Sequence, residues 1–354
     1  MKITYVVPEL YRDGGIQEFA KTVYFQLSDY YDMELVDWKN ILSLPENAFL
    51  KFLPPALAST YYTHFIAKKF KDYYKEIKNA DFVHFWHPES AMAFLDKKYI
   101  VTCHGMEILP ANMKGFRKER YEAVFNCAKL IHVNSNFTKR LLLNTFDIVE
   151  EKIRVINPPI ENEKFIKNDC REKKRKPVIG TLARFNKRKN VPSIIKALKI
   201  LREKYHLDFI YYLAGNGVEK RRIMQELKKA KFAWKYFGEI SNEEKIKEFY
   251  PSLDIFVMPP LELPNDVEGF GIVYLEANAC GIPVVASKTG GVQDAIKEGV
   301  SGVFADPANP EDIAAKILEV LENRDRFSDS AKEWAKRFDA KKIAKKFAEI
   351  YIEV

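Results

Sequence analysis

The sequence predicts an α/β chain made of two doubly wound parallel sheets, each covered by helices on both faces. Three observations carry that expectation. Short apolar runs alternate with helical stretches along the chain, a charged and proline-bearing segment interrupts the alternation near the middle, and the same plan then starts again. Near-continuous apolar strands joined by helical crossovers are what a sheet buried on both faces requires.

In the first half the strand candidates are "KITYVVP", "MELVDWK", "DFVHFWH", "KYIVTCHG", "KLIHVNS" and "KIRVINP", with helical segments at 17–28 and 137–145 among the connections. Residues 157–177, "NPPIENEKFIKNDCREKKRKP", read as a linker. The second half offers "PVIGTLARF", "DFIYYLAG", "KYFGEI", "DIFVMPP", "PVVASK" and "SGVFAD" as strands. A last helix is expected over 331–351, apolar at Trp334, Phe338, Ile343, Phe347 and Ile350. The domain expectation is therefore 1–165, 166–330, and a helix in 331–354 that returns to the first domain. Two such domains side by side would leave a cleft at the carboxyl ends of their strands, where doubly wound folds bind ligands.

Composition narrows the class. A length of 354 residues with 47% hydrophobic and 30% charged residues fits a soluble globular protein with a sizeable core. No apolar run nears the roughly 18 residues of a membrane span, and "MKITYVVPEL" is too short an apolar run for a signal peptide, so a cytoplasmic protein is expected. Cys103, Cys127, Cys170 and Cys280 have no paired spacing, which argues against zinc. His84 and His87, three apart on a strand, should face opposite ways rather than share a metal. The net charge of +8 calls for an anionic partner. The basic residues are scattered and no nucleic-acid motif is present, so phosphorylated small molecules or an anionic membrane fit better than nucleic acid. Residues 49–78 hold eight Phe/Tyr, six Lys and two acids. That mixture suits a peripheral helix in a membrane interface, with an ordinary amphipathic domain helix as the alternative.

Two motifs carry chemistry. In "EGFGIVYLEANACG", Glu268 and Glu276 bracket the start of a helix, and Gly269 and Gly271 let backbone amides approach an anion there. Carboxylates accept hydrogen bonds from sugar or ribose hydroxyls. The plainer alternative makes Glu268 a solvated loop acid and Glu276 a helix-surface acid. In "GTLARFNKRKNV", Arg184 leaves a strand and Lys189 precedes a helix, two cations suited to a diphosphate. Arg184 is preferred there over Lys187 and Arg188, which read as a solvated basic loop.

Together, "GTLARFNKRKN", "EGFGIVYLEANACGIPVVAS" and "GGVQD" resemble the retaining glycosyltransferases of family four, whose two-Rossmann-domain fold is called GT-B. The resemblance is strongest over 177–307. It implies that Arg184 and Lys189 hold the donor diphosphate, that Glu276 binds the ribose, and that Glu268 contacts the transferred hexose. It also places the amides of Phe270, Gly271, Ile272 and Val273 on hexose and phosphate oxygens, and Gly238 and Ile240 against the base. In the first half it carries over Gly14 and Gly15, in "RDGGIQEF", and His104, in "VTCHG", as donor or hexose contacts. Pro260 stands where the family often has Ser, "LELPND" lengthens the loop that follows, and Asp294 stands where Glu is common.

The implied reaction moves a hexose from a nucleotide diphosphate sugar, such as GDP-mannose or a UDP-hexose, to a hydroxyl on a glycan, lipid or small alcohol. Neither a cofactor nor a metal is called for. The competing readings are a nucleotide-sugar epimerase on the same fold and a non-catalytic sugar-binding protein.

Overall fold

The computed structural model describes residues 1–10, 14–37, 71–165 and 176–354. The chain divides into two compact units, Met1–Pro159 with Ala340–Val354, and Ile160–Asp339. In the first unit, β1 (Lys2–Val7), β2 (Asp32–Asp37), β3 (Phe82–Phe85), β4 (Tyr99–Cys103), β5 (Leu130–Val133) and β6 (Ile153–Val155) form a sheet in the order β2-β1-β3-β4-β5-β6. Every pairing in it is parallel. Helices α1 (Gly15–Leu27), α2 (Lys71–Asn79), α3 (Phe116–Cys127) and α4 (Asn136–Thr145) lie between the strands. The Ser135 hydroxyl caps α4 by accepting from the Thr138 amide at 3.1 Å.

The second unit repeats the plan with β7 (Val178–Leu182), β8 (Ile210–Ala214), β9 (Ala233–Gly238), β10 (Ile255–Val257), β11 (Val284–Ala286) and β12 (Gly302–Phe304). Their order is β12-β11-β10-β7-β8-β9, all parallel. Its helices include α5 (Val191–Glu203), α6 (Lys220–Lys228), α7 (Ile272–Ala279), α8 (Pro310–Glu322) and α9 (Arg324–Ala335), and α10 (Ala340–Ile352) closes the chain within the first unit. The strand order reverses between β7 and β10, so crossovers leave these two neighbours toward opposite faces and open a crevice at their carboxyl ends.

Strand residues alternate between two apolar layers. Along β3, Val83 and Phe85 join Val101 and Val133 on one face, while Phe82 and, just past the strand, Trp86 join Phe19 and Phe347 on the other. Each fully buried aromatic or aliphatic side chain contributes about 1.5–3 kcal/mol. One face of the first sheet also carries a polar row. The Tyr351 hydroxyl on α10 meets the Tyr5 hydroxyl and lies 2.8 Å from His84 Nδ1; His84 Nε2 lies 2.7 Å from Thr102 Oγ1, which lies 2.9 Å from His132 Nδ1. His132 Nε2 ends the row by donating to the Ile156 carbonyl at 2.8 Å.

The single helix expected over 331–351 is broken. A 3₁₀ turn, Lys336–Phe338, separates α9 from α10. The apolar positions belong to two cores: Trp334 and Phe338 pack in the second unit, and Ile343, Phe347 and Ile350 in the first. The Phe338 carbonyl accepts from the Ile160 amide at 2.9 Å, which ties the break to the start of the second unit. The units therefore change at Pro159/Ile160 and Asp339/Ala340, not after 165 and 330. Residues 162–165 of the expected linker form one short helical turn, and 166–175, with Cys170, lie outside the described residues. So does most of the aromatic and basic segment 49–78, of which 71–78 falls in α2. Among the described residues no helix is long and apolar enough to cross a membrane.

Candidate functional site

The two chemistry-bearing motifs sit in the loops that leave β7 and β10, the strands at the reversal point of the second sheet. After β7 the chain passes Arg184 and makes a 3₁₀ turn, Lys187–Lys189. Asn186 Oδ1 accepts from the Lys189 amide at 3.1 Å. Asn190, left-handed at φ 58°, ends the turn and donates from Nδ2 to the Pro259 carbonyl at 3.1 Å and the Pro307 carbonyl at 2.7 Å. The Leu261 amide donates to the Arg188 carbonyl at 2.7 Å. The two loops are thus stitched together by side-chain amides and backbone.

After β10 the chain is held down carbonyl by carbonyl. The Tyr274 hydroxyl donates to Met258 at 2.8 Å and the Ser287 hydroxyl to Pro260 at 2.6 Å. Gly271 turns the chain into α7 at φ +89°, where a Cβ would meet the Tyr274 ring at 2.3 Å, so a side chain is excluded. The "GGVQD" glycines support the other acid. The Gly291 amide donates to the Glu268 carbonyl at 2.8 Å, and a Cβ on Gly290 would lie 2.3 Å from that same carbonyl oxygen.

The charges then fall into two groups. Arg188 donates from Nε to Asp266 Oδ1 at 2.7 Å and from Nη1 to Glu268 Oε2; Lys189 Nζ donates to the same Oε2. Burial alone would raise the Glu268 carboxyl, but the Lys189 and Arg188 charges outweigh it and hold the group ionised, below its ordinary value. Glu276, in the middle of α7, is buried and shared: Lys245 Nζ lies 2.6 Å from Oε1 and the Tyr250 hydroxyl donates to Oε2 at 2.7 Å. Neither acid is the solvated surface carboxylate of the plainer alternative. Arg188, set aside in favour of Arg184, is largely buried in the cluster, while Arg184 is exposed. Lys189 has three N–H donors and gives one to Glu268, which leaves two for an anion.

Gly238, left-handed at φ +77°, accepts through its carbonyl from the Gly215 amide at 2.6 Å, and Ile240 is half-buried just before the Ser241 cap of the next turn. Gly269 and Phe270 lie between Glu268 and the α7 cap, with Phe270 packed into the core. The amides of Ile272 and Val273, in the first turn of α7, have neither a side-chain cap nor a first-turn acid beside them.

In the first unit, His104 follows the end of β4 with its ring buried. Its Nε2 donates to the Trp86 carbonyl at 3.0 Å and its amide donates to Glu107. Burial lowers its pKa to about 4, against the Trp86 bond, so the imidazole is neutral and Nδ1 keeps a lone pair. Gly14 caps α1 and Gly15 begins it, while 11–13 lie outside the described residues. His84 uses both nitrogens inside the sheet face, and His87 Nδ1 accepts from the Glu89 amide, so the pair shares no ligand direction. Asp266, Lys245 and Tyr250 had no signal in the sequence.

The glycosyl transferases group 1 model matches residues 162–338, which contain both motifs, and the Glycosyltransferase Family 4 model matches 42–164. The chain belongs to the glycosyl transferases group 1 family. The D-inositol 3-phosphate glycosyltransferase of Corynebacterium urealyticum is 27% identical over 250 residues, covering 65% of this chain and 58% of that one. The GDP-mannose-dependent alpha-(1-6)-phosphatidylinositol monomannoside mannosyltransferase of Mycolicibacterium smegmatis is 26% identical over 242 residues, covering 64% of this chain and 61% of that one. The match therefore spans less than two thirds of either relative's length. Among solved structures, a glycosyltransferase from Rickettsia africae superposes with a TM-score of 0.77 at 22% identity, over 99% of this chain and 98% of that one. HepE of Anabaena, solved with UDP and glucose, gives 0.73 at 16% identity over the whole of both chains. At such identities the likeness is one of fold, and this family member has the two-domain α/β fold called GT-B.

Proposed function

We propose that this family member transfers a hexose from a nucleotide diphosphate sugar to an acceptor hydroxyl, with retention at the anomeric carbon and without a metal. One observation carries the reading. At the β7/β10 reversal point, Lys189, which keeps spare donors, bonds the largely buried Glu268, Arg184 is exposed in the same loop as Lys189, and the uncapped start of α7 leads one turn on to the buried Glu276. Anion donors and hydroxyl acceptors side by side suit a ligand that is both a diphosphate and a polyol.

In this reading Arg184, Lys189 and the amides of Phe270, Gly271, Ile272 and Val273 take the diphosphate and nearby hexose oxygens. Glu276 takes the ribose, with Gly238 and Ile240 beside the base, and Glu268 takes a hexose hydroxyl. The bond from the anomeric carbon to the diphosphate oxygen breaks, a bond to the acceptor oxygen forms on the same face, and the acceptor's proton passes to the departing phosphate. Charge growing on that phosphate is the main electrostatic demand, and fixed cations and amides answer it. The two cations offset the diphosphate charge, so no metal is required. For His104, Gly14 and Gly15 the role at the sugar rests on the family resemblance. The named activities of the two relatives, on an inositol phosphate and on a phosphatidylinositol mannoside, favour a polyol or lipid acceptor, and the second of them favours GDP-mannose as donor over the alternative of a UDP-hexose. A lipid acceptor would bring the protein to the membrane surface, with 49–78 as the segment for it.

The test is nucleoside diphosphate release from UDP- and GDP-hexoses with and without sugars, inositol phosphates and acidic lipid vesicles. Release that needs an acceptor and collapses by orders of magnitude in Arg184→Ala and Lys189→Ala supports the reading. Conversion of the sugar without release would indicate an epimerase, and saturable binding without turnover a binding protein.

A further inference from the structure

The cluster around Glu268 is asymmetric. Both of its cations, Arg188 and Lys189, bond one oxygen, Oε2. The other oxygen, Oε1, has no hydrogen-bond partner among the described residues. Arg188 is itself clamped: its Nε edge is on Asp266, its Nη1 on Glu268, and its own carbonyl is bonded by the Leu261 amide at the start of the lengthened loop that ends at Asp266. A guanidinium is planar with its donors in a fixed fork, so carboxylates on two of its edges fix its own plane and, together with Lys189, pin the position of Glu268 Oε2. The Glu268 backbone is fixed from behind by the Gly291 amide.

We propose that Arg188, held by Asp266, is a positioning residue: it and Lys189 use up Glu268 Oε2 so that Oε1 is presented in one orientation to a single hydroxyl of the donor's sugar. The inference rests on the reading of Glu268 as the hexose contact and adds the device that aims it. The loop 261–266, which departs from the family's usual length, thereby helps set which sugar hydroxyl is read, without touching the sugar. An ionised carboxylate only accepts hydrogen bonds, so the partner is a donor such as a hydroxyl and not a carbonyl. The same ion pairs would also serve a purely structural loop clasp, and the experiment must separate the two.

Calorimetric titrations compare UDP with UDP-glucose, and GDP with GDP-mannose, on wild type, Arg188→Met and Arg188→Lys, whose melting temperatures report folding. Lysine keeps the charge but loses the fork. Positioning predicts that both variants weaken the nucleotide sugar about 10- to 100-fold while the matching nucleoside diphosphate changes less than about twofold. It also predicts that in Arg188→Met the sugar-dependent part of binding is lost at a higher pH than in wild type, because Glu268 keeps only one cation. Equal weakening of diphosphate and nucleotide sugar, or no weakening of either, overturns the proposal and leaves the functional reading standing. If wild type binds none of the four ligands, the functional reading itself fails and the proposal falls with it.

Discussion

Lys245 and Glu276 are paired at 2.6 Å inside the second unit, with side chains 16% and 8% exposed. Tyr250 holds the second carboxylate oxygen, and its phenol stays protonated because burial, then the Glu276 charge, pushes its pKa well above the ordinary value. Removing the lysine leaves a buried, half-compensated charge. Lys245→Met should cost on the order of 3 kcal/mol at neutral pH. Urea midpoints of wild type and variant check this; an unchanged midpoint would mean the pair contributes nothing to stability.

Gly290→Ala places a methyl group against the Glu268 carbonyl and the Val267 side chain, at a φ of +52° that alanine tolerates poorly. The strain is on the order of 1–3 kcal/mol. Because the carbonyl belongs to Glu268, nucleotide-sugar affinity should fall further than that of the bare diphosphate, read by titration against the change in melting temperature.

Stability should fall on acidification. Burial holds His104 at about 4, His132 and His87 at about 3, and His84 well below its ordinary value. The unfolded chain binds these protons near pH 6.5 and the folded chain does not. The histidine contribution is therefore complete above about pH 6.5 and is lost as pH drops toward 4, by up to about 1.4 kcal/mol per group per pH unit. Denaturant titrations between pH 7.5 and 4.5 measure the slope, and His132→Gln should flatten it.

Tyr351→Phe removes the hydroxyl that links Tyr5 to His84 beneath α10. Leaving a buried imidazole nitrogen without its partner costs about 1–3 kcal/mol. Amide exchange should quicken in α10 more than in α4, which does not share the polar row.

The strands were legible because a parallel sheet buried on both faces demands apolar runs. Val178–Leu182 and Val284–Ala286 stand out for that reason, whatever follows them. The Arg184–Lys189 and Glu268–Glu276 motifs were legible because glycine, basic and acidic residues cluster within a few positions. Arg188 was not: its partners Asp266 and Glu268 lie 78 and 80 residues away, and nothing local separates a clamped arginine from a solvated one. The break near Phe338 escaped because a helical period shows that a face is buried and says nothing about which core buries it. Phe338 and Phe347 continue one stripe and serve two units.

The most direct measurement is calorimetric titration of UDP, GDP and ADP into wild type, Arg184→Ala and Glu276→Gln. The account predicts saturable binding of at least one diphosphate to wild type, weakened about tenfold or more in each variant while melting temperatures show both still folded. Unchanged affinity in both variants, or no binding to wild type, would contradict it.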